Sequence, residues 1–119
     1  LREKHFIELV NATLSGNFKI RVFNKYGQEA LVKFANGVDP GQILTGIKDA
    51  KAFIPGQESQ PRIHGCNSLS VDTIEKGHGR RFEISFNCPL EEAGSEWISM
   101  EVYDPGVGEA TVGLIHEGS

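Results

Sequence analysis

Phe82-Glu83-Ile84-Ser85-Phe86-Asn87-Cys88 alternates apolar and polar residues throughout its length. A period of two belongs to a strand with one face in a core and the other in water. The same alternation recurs upstream, where Phe18, Ile20 and Val22 are separated by Lys19 and Arg21, and downstream, where Ile98, Met100 and Val102 are separated by Ser99 and Glu101. Residues 6–14, 30–35, 50–54, 69–74 and 110–115 read as further strands. Between them fall the turn-forming groups Ser15-Gly16-Asn17, Tyr26-Gly27, Asp39-Pro40-Gly41, Pro55-Gly56, Gly77-His78-Gly79 and Asp104-Pro105-Gly106. Short strands with turns this frequent predict an all-β fold, a single β-sandwich of mostly antiparallel strands occupying residues 1–119 as one domain. Helix is expected only over residues 42–50 and in one turn opening at Pro89, a residue suited to a first helical position.

Residues 66–88 read as a hairpin turning near Gly77, midway between the two cysteines. Simple pairing sets Cys66 opposite Cys88, within reach of a cross-strand disulfide. That register also sets Ser70 opposite Ile84, whereas burying Leu69 and Val71 beside Ile84 and Phe86 needs a one-residue shift. A bulge near residues 65–67 reconciles the two. The sequence leaves a Cys66–Cys88 bond and two free thiols both open.

The 119 residues are 39% hydrophobic and 24% charged, ordinary for a globular domain. No apolar run approaches the ~20 residues that span a bilayer. No cationic leader precedes an apolar stretch, and in a chain beginning at Leu1 this bears on neither export nor retention. The formal net charge of −4 argues against nucleic acid and against simple docking on anionic lipid. All twelve Lys and Arg lie at or before Arg81, so residues 1–81 are formally +4 and residues 82–119 are −8. Two halves folding against one another average this out; an acidic face meeting a basic protein is the sharper reading.

Little points to chemistry. There is no G-x-S-x-G elbow, no CxxC, no D-x-D-x-D-G calcium loop and no glycine-rich phosphate loop. His5, His64, His78 and His116 show no metal-ligand spacing, and scattered histidines are usually surface or satisfied core residues. A ribonuclease-like set of His64, Glu83 and His116 lacks a clamping Arg beyond Arg80 and Arg81. Asn11-Ala12-Thr13 is a glycosylation sequon inside an expected strand. No enzyme activity, metal or cofactor is expected.

The second half runs Ile63-His64-Gly65-Cys66, a glycine turn, Asn87-Cys88-Pro89-Leu90, Trp97, Asp104-Pro105-Gly106-Val107-Gly108 and Ala110-Thr111-Val112. In this order it resembles the aegerolysins, small acidic β-sandwich proteins whose pattern includes I-N-A-C-G, D-C-P-W-x6-W and a final G-x-x-x-V strand. Ile20 to Gly27 resembles their I-K-N segment leading to S-W-G. The chain departs in having Leu90, Tyr26 and Phe6 where the family carries Trp, and Asn67 where it carries Gly.

The resemblance implies a sandwich of the aegerolysin and actinoporin kind, secreted and peripheral at membrane surfaces. It implies binding of sphingolipid, with or without sterol, and a separate perforin-like partner. Tyr26, Leu90 and Trp97 would form the membrane-facing rim, with Phe6 a weaker candidate and Glu75 near the headgroup. Aromatic rings settle at headgroup level because an apolar body meets a polar edge. Phe6 alternates with the core face of its strand, so burial is its expected fate. The alternative is a secreted sandwich, an effector or adhesin, that binds a protein or glycan; the missing Trp residues favour it.

Overall fold

The computed structural model describes residues 2–11, 15–24, 29–48, 68–77, 79–87 and 98–116. In chain order these form β1 (Arg2–Leu9), β2 (Asn17–Asn24), β3 (Glu29–Ala35), α1 (Pro40–Lys48), β4 (Ser68–Lys76), β5 (Gly79–Asn87), β6 (Ile98–Asp104) and β7 (Ala110–His116). The strands build a four-stranded sheet, β4-β5-β1-β7, and a three-stranded sheet, β3-β2-β6. Their pairings are antiparallel, and the two sheets pack as the all-β sandwich that the alternation predicts. The expected strand at residues 50–54 and the helical turn at Pro89 lie outside the described residues.

One core fills the space between the sheets. Ile7, Leu9, Phe82, Ile84 and Phe86 come from the larger sheet, and Phe18, Ile20, Val22 and Phe34 from the smaller, all buried. Fully burying each such side chain is worth about 1.5–3 kcal/mol. β1 offers two possible faces to this core, and the structure corrects the expected one. His5, Ile7 and Leu9 point inward, and Phe6 lies on the outer face, half-buried. Outside, Phe6 is still covered: the Arg81 guanidinium sits 4.1 Å from its ring centroid. It also lies across from Gly113, where a Cβ would stand 2.4 Å from the ring. β1 also ends at Leu9 rather than continuing towards Leu14.

The β4–β5 hairpin turns at Gly77, with φ +55°, as its sequence predicts. Its register is the shifted one, with Val71 opposite Ile84, Leu69 opposite Phe86 and Ser70 opposite Ser85. Burial of the apolar face decided between the two registers. Cys66 and Cys88 lie outside the described residues.

Two charged or polar side chains enter the interior at the opposite end from that turn. Glu3 and His5 are buried, with His5 Nε2 3.1 Å from Glu3 Oε1. The Ile98 backbone N–H donates to the same Glu3 oxygen at 3.2 Å. The His5 ring meets Phe86 edge-on at 5.7 Å. A buried carboxylate is tolerated only when its acceptor sites are filled. Here Glu3 Oε1 meets His5 of its own strand and the Ile98 N–H of the opposite sheet, so Glu3 joins β1 to the start of β6.

Candidate functional site: the cleft between β3 and α1

The helix begins two residues earlier than the expected 42–50, and the reason is local. Asp39-Pro40-Gly41, which reads as a turn, is a helix start: Asp39 is the N-cap and Pro40 the first helical residue. Asp39 Oδ1 accepts from the Gln42 backbone N–H at 2.8 Å, and Gln42 Oε1 accepts from the Asp39 N–H at 2.9 Å. This reciprocal pair is a capping box. Val38 before the cap and Ile43 in the first turn are both buried, the arrangement of a hydrophobic staple. Lys48 in the last turn complements the helix dipole.

So anchored, α1 contacts both β3 and β4, the edge strands on one side of the two sheets, and closes that side of the sandwich. Its approach to β3 is made through a glycine. A Cβ on Gly46 would lie 2.5 Å from Phe34 Cε1 and 3.4 Å from Val32 Cγ1, so only a residue without one lets the helix come this near.

Asn36 fixes the junction between β3 and the helix. It is buried, its backbone N–H donates to Gly16 O at 3.0 Å, and its Nδ2 donates to Ser15 O at 2.7 Å. Arg80 Nη1 donates to Asn36 O at 3.0 Å. Three loops and β5 are held together there, since a Cβ on Gly108 of the β6–β7 turn would stand 3.1 Å from Asn36 Nδ2. Asn36 Oδ1 is buried and accepts no hydrogen bond from the described residues.

Between β3 and α1 runs an open cleft of about 590 Å³. Lys33, Phe34 and Ala35 form the strand wall, and Gly41, Gln42, Thr45 and Gly46 the helix wall. The strand wall is a sheet edge: among the described residues β3 pairs with β2 alone. Its outward backbone groups therefore face the cleft side without a described strand partner. The arrangement offers main-chain donors and acceptors on one wall, a small-residue helix face on the other and an apolar floor at Phe34. It suits recognition of an extended chain.

The residues singled out from the sequence lie elsewhere. Phe6 shares the outer face of the larger sheet with Glu83 and Asp72, to which the registers connect it. Glu75 is exposed three residues beyond Asp72, hence on the other face, opposite Arg80. These two do not converge. Tyr26, Leu90 and Trp97 lie outside the described residues. The described residues that flank them do share one end of the sandwich. Asn24 pairs with Ile98, Ile98 is bonded to Glu3, and Arg2 pairs with Asn87. Glu75 and the Gly77 turn are at the other end.

Around Phe6 the outer face carries an ion-pair lattice. Glu83 receives Lys4 Nζ at 3.3 Å and Arg81 Nε at 3.0 Å, and Arg81 Nη1 reaches Glu8 at 3.5 Å. Desolvation pushes the Glu83 carboxyl up, but hydrogen bonds and charge from Lys4 and Arg81 outweigh it and hold the group below its ordinary value. A carboxylate held so is a poor proton acceptor at neutral pH, which weakens any general-base role. His64 lies outside the described residues, and among those described no three His, Cys, Asp or Glu gather as a metal site.

Sequence reasoning missed the cleft. The signals present were a D-P-x-Q helix start at residues 39–42 and Gly46 inside a helical pattern, which marks a close packing contact. Comparison with protein-family profiles, curated proteins and solved structures found no match for the chain.

Proposed function

We propose that this domain is a non-catalytic binding module that takes an extended polypeptide strand along the outer edge of β3. The observation that carries the reading is the cleft itself, walled by a sheet edge that pairs with no second strand among the described residues and by a helix that approaches it through Gly46. Strand addition draws affinity from main-chain hydrogen bonds and specificity from alternate side chains. The cleft volume of about 590 Å³ falls within the range of small binding sites. The test is selection of binders from a display library of random linear decapeptides, followed by amide hydrogen exchange of the complex. Slowed exchange confined to β3 residues 29–34 and the facing turn of α1 supports strand addition. Protection elsewhere, or no selected binder, refutes it.

Sphingolipid binding at a membrane surface, with a perforin-like partner recruited there, is the second reading. It is favoured by the convergence of Asn24, Asn87 and Ile98, the described neighbours of Tyr26, Leu90 and Trp97, at one end of the sandwich. Co-sedimentation with liposomes of sphingomyelin and cholesterol, ceramide phosphoethanolamine and cholesterol, or phosphatidylcholine alone decides it. Trp97 is the one Trp in the chain, so its emission reports insertion in the same samples. Absence of pelleting with every mixture removes this reading.

A further inference from the structure

We infer that the strand completing the β3 edge carries a carboxylate opposite Lys33, so that the partner is an acidic, extended peptide segment; this rests on the strand-addition reading above. The charges in question lie on the outer face of the smaller sheet. There β3 presents Leu31, Lys33 and Ala35, and β2 presents Lys19, Arg21 and Phe23. The register sets Lys33 directly opposite Lys19. Like charges directly opposite in an antiparallel pair are destabilising, with Cβ atoms only about 4.5–5.5 Å apart.

Neither lysine makes an ion pair or a side-chain hydrogen bond with another described residue. The other cross-strand neighbour of Lys19 is Asp104, whose Oδ1 accepts from the Gly106 N–H at 3.0 Å. Asp39, the acid on the cleft wall, is committed to capping α1. Arg21, next along β2, is by contrast engaged, 3.9 Å from Glu29 and over the Tyr103 ring at 5.4 Å. Lys33 is thus without an ion-pair partner among the described residues, on the strand edge that also walls the cleft, whereas Lys19 has the Asp104 carboxylate across from it on β6.

An added strand places alternate side chains on the outer face beside β3. One falls next to Lys33, where a carboxylate relieves the repulsion. Another, two positions away, falls next to Leu31, which is 55% exposed and wants an apolar neighbour. The side chains between them point towards Gly41, Thr45 and Gly46, where small groups fit. The recognised segment therefore holds an acidic and an apolar residue two positions apart, with small residues alternating. The overall charge of −4 does not oppose this, because contact-range pairing acts inside the ~8 Å Debye length that screens remote acids.

The experiment runs the random decapeptide selection in parallel on the wild-type protein and on Lys33→Glu. The best peptide, and its Glu→Gln and Glu→Lys variants, are then titrated by fluorescence anisotropy. Lys33 is exposed, and the substitution relieves its repulsion from Lys19, so the variant is expected to fold; a thermal melt checks this. Lys19→Glu serves as a second variant. Wild-type protein is expected to enrich acidic peptides and to prefer Glu over Lys at the decisive position by about three- to thirtyfold. Lys33→Glu should reverse that preference. Peptides enriched without an acidic position, or an acidic preference that survives both substitutions, overturn this inference and leave strand addition standing. A selection that yields no peptide overturns both.

Discussion

Gly46→Ala sets two well-defined effects against each other. In an exposed helix interior, replacing Gly by Ala stabilises by about 1 kcal/mol. At Gly46 the new Cβ would stand 2.5 Å from Phe34 Cε1 and 3.0 Å from Cζ. Ordinary carbon contacts are about 3.5–4.0 Å, so roughly 1 Å must be found. Phe34 cannot supply it by sinking, because Phe18 lies behind it with ring centroids 5.5 Å apart and is itself fully buried. The helix cannot supply it freely, since Ile43 and Ile47 are fully buried on the same element. Overpacking of this kind costs about 1–3 kcal/mol. The expected net effect is a loss of up to about 2 kcal/mol, with a fall in Tm of roughly 4–6 °C for each kcal/mol lost. Phe34→Leu removes the ring atoms that meet the new methyl. In a double-mutant cycle Gly46→Ala should then cost less in the Leu background by at least about 0.5 kcal/mol. Urea denaturation of the four proteins measures this. A Tm that rises on Gly46→Ala alone would show the helix standing away from β3, and the cleft as drawn would not exist.

Three further outcomes test other joints of the structure. His5→Phe should cost about 3 kcal/mol by leaving the buried Glu3 carboxylate with fewer partners, whereas Glu3→Leu combined with His5→Phe should cost less than His5→Phe alone; urea midpoints decide it. Glu83 has a folded-state pKa below its ordinary 4.5, so it contributes stability above the unfolded value and loses it as pH falls through the folded one. The stability gap between wild type and Glu83→Gln should therefore shrink on acidification, as read from melts across pH 7 to 3. Gly106→Ala should cost at least about 3 kcal/mol, because φ is +62° and the new Cβ would sit 2.1 Å from Asn17 O. Gly77→Ala, at φ +55° with open space around it, should cost only about 1 kcal/mol by the same assay.

The fold was legible wherever one face of a strand is apolar and the other polar. β2, β5 and β6 alternate cleanly, and each turns the expected face to the core, buried in β2 and β5 and half-buried at Met100 and Val102 of β6. β1 was not, because Phe6 and His5 compete for the inside and side-chain hydrophobicity alone favours Phe6. The structure reverses this: Ile7 and Leu9 set the inward parity, and His5 is carried inside with them, where Glu3 bonds its ring. Phe6 keeps much of its burial outside by lying across Gly113 and beneath Arg81. Those neighbours come from residues over seventy positions away, beyond any local pattern. The start of α1 is a different case. Asp39, Pro40 and Gln42 spell a capped helix, yet Asp-Pro-Gly is also a common turn, and only Val38 and Ile43 on either side favour the helix.

The candidate site was hidden for a reason that belongs to sheets in general. Lys19 and Lys33 are unremarkable outward residues of two separate alternating strands until a register joins them. That register is dictated by the core: setting Ile20 against Val32 and Phe18 against Phe34 leaves Lys19 no other neighbour on β3. A slip of one residue would separate the lysines but turn every buried side chain of the strand into water. The repulsion is therefore a by-product of core packing that the fold itself cannot remove. A single exposed substitution at Lys33 would remove it at little cost to the core. The inferred acidic ligand follows from this: Lys33 has no ion-pair partner among the described residues and stands beside the cleft on an edge that pairs there with β2 alone.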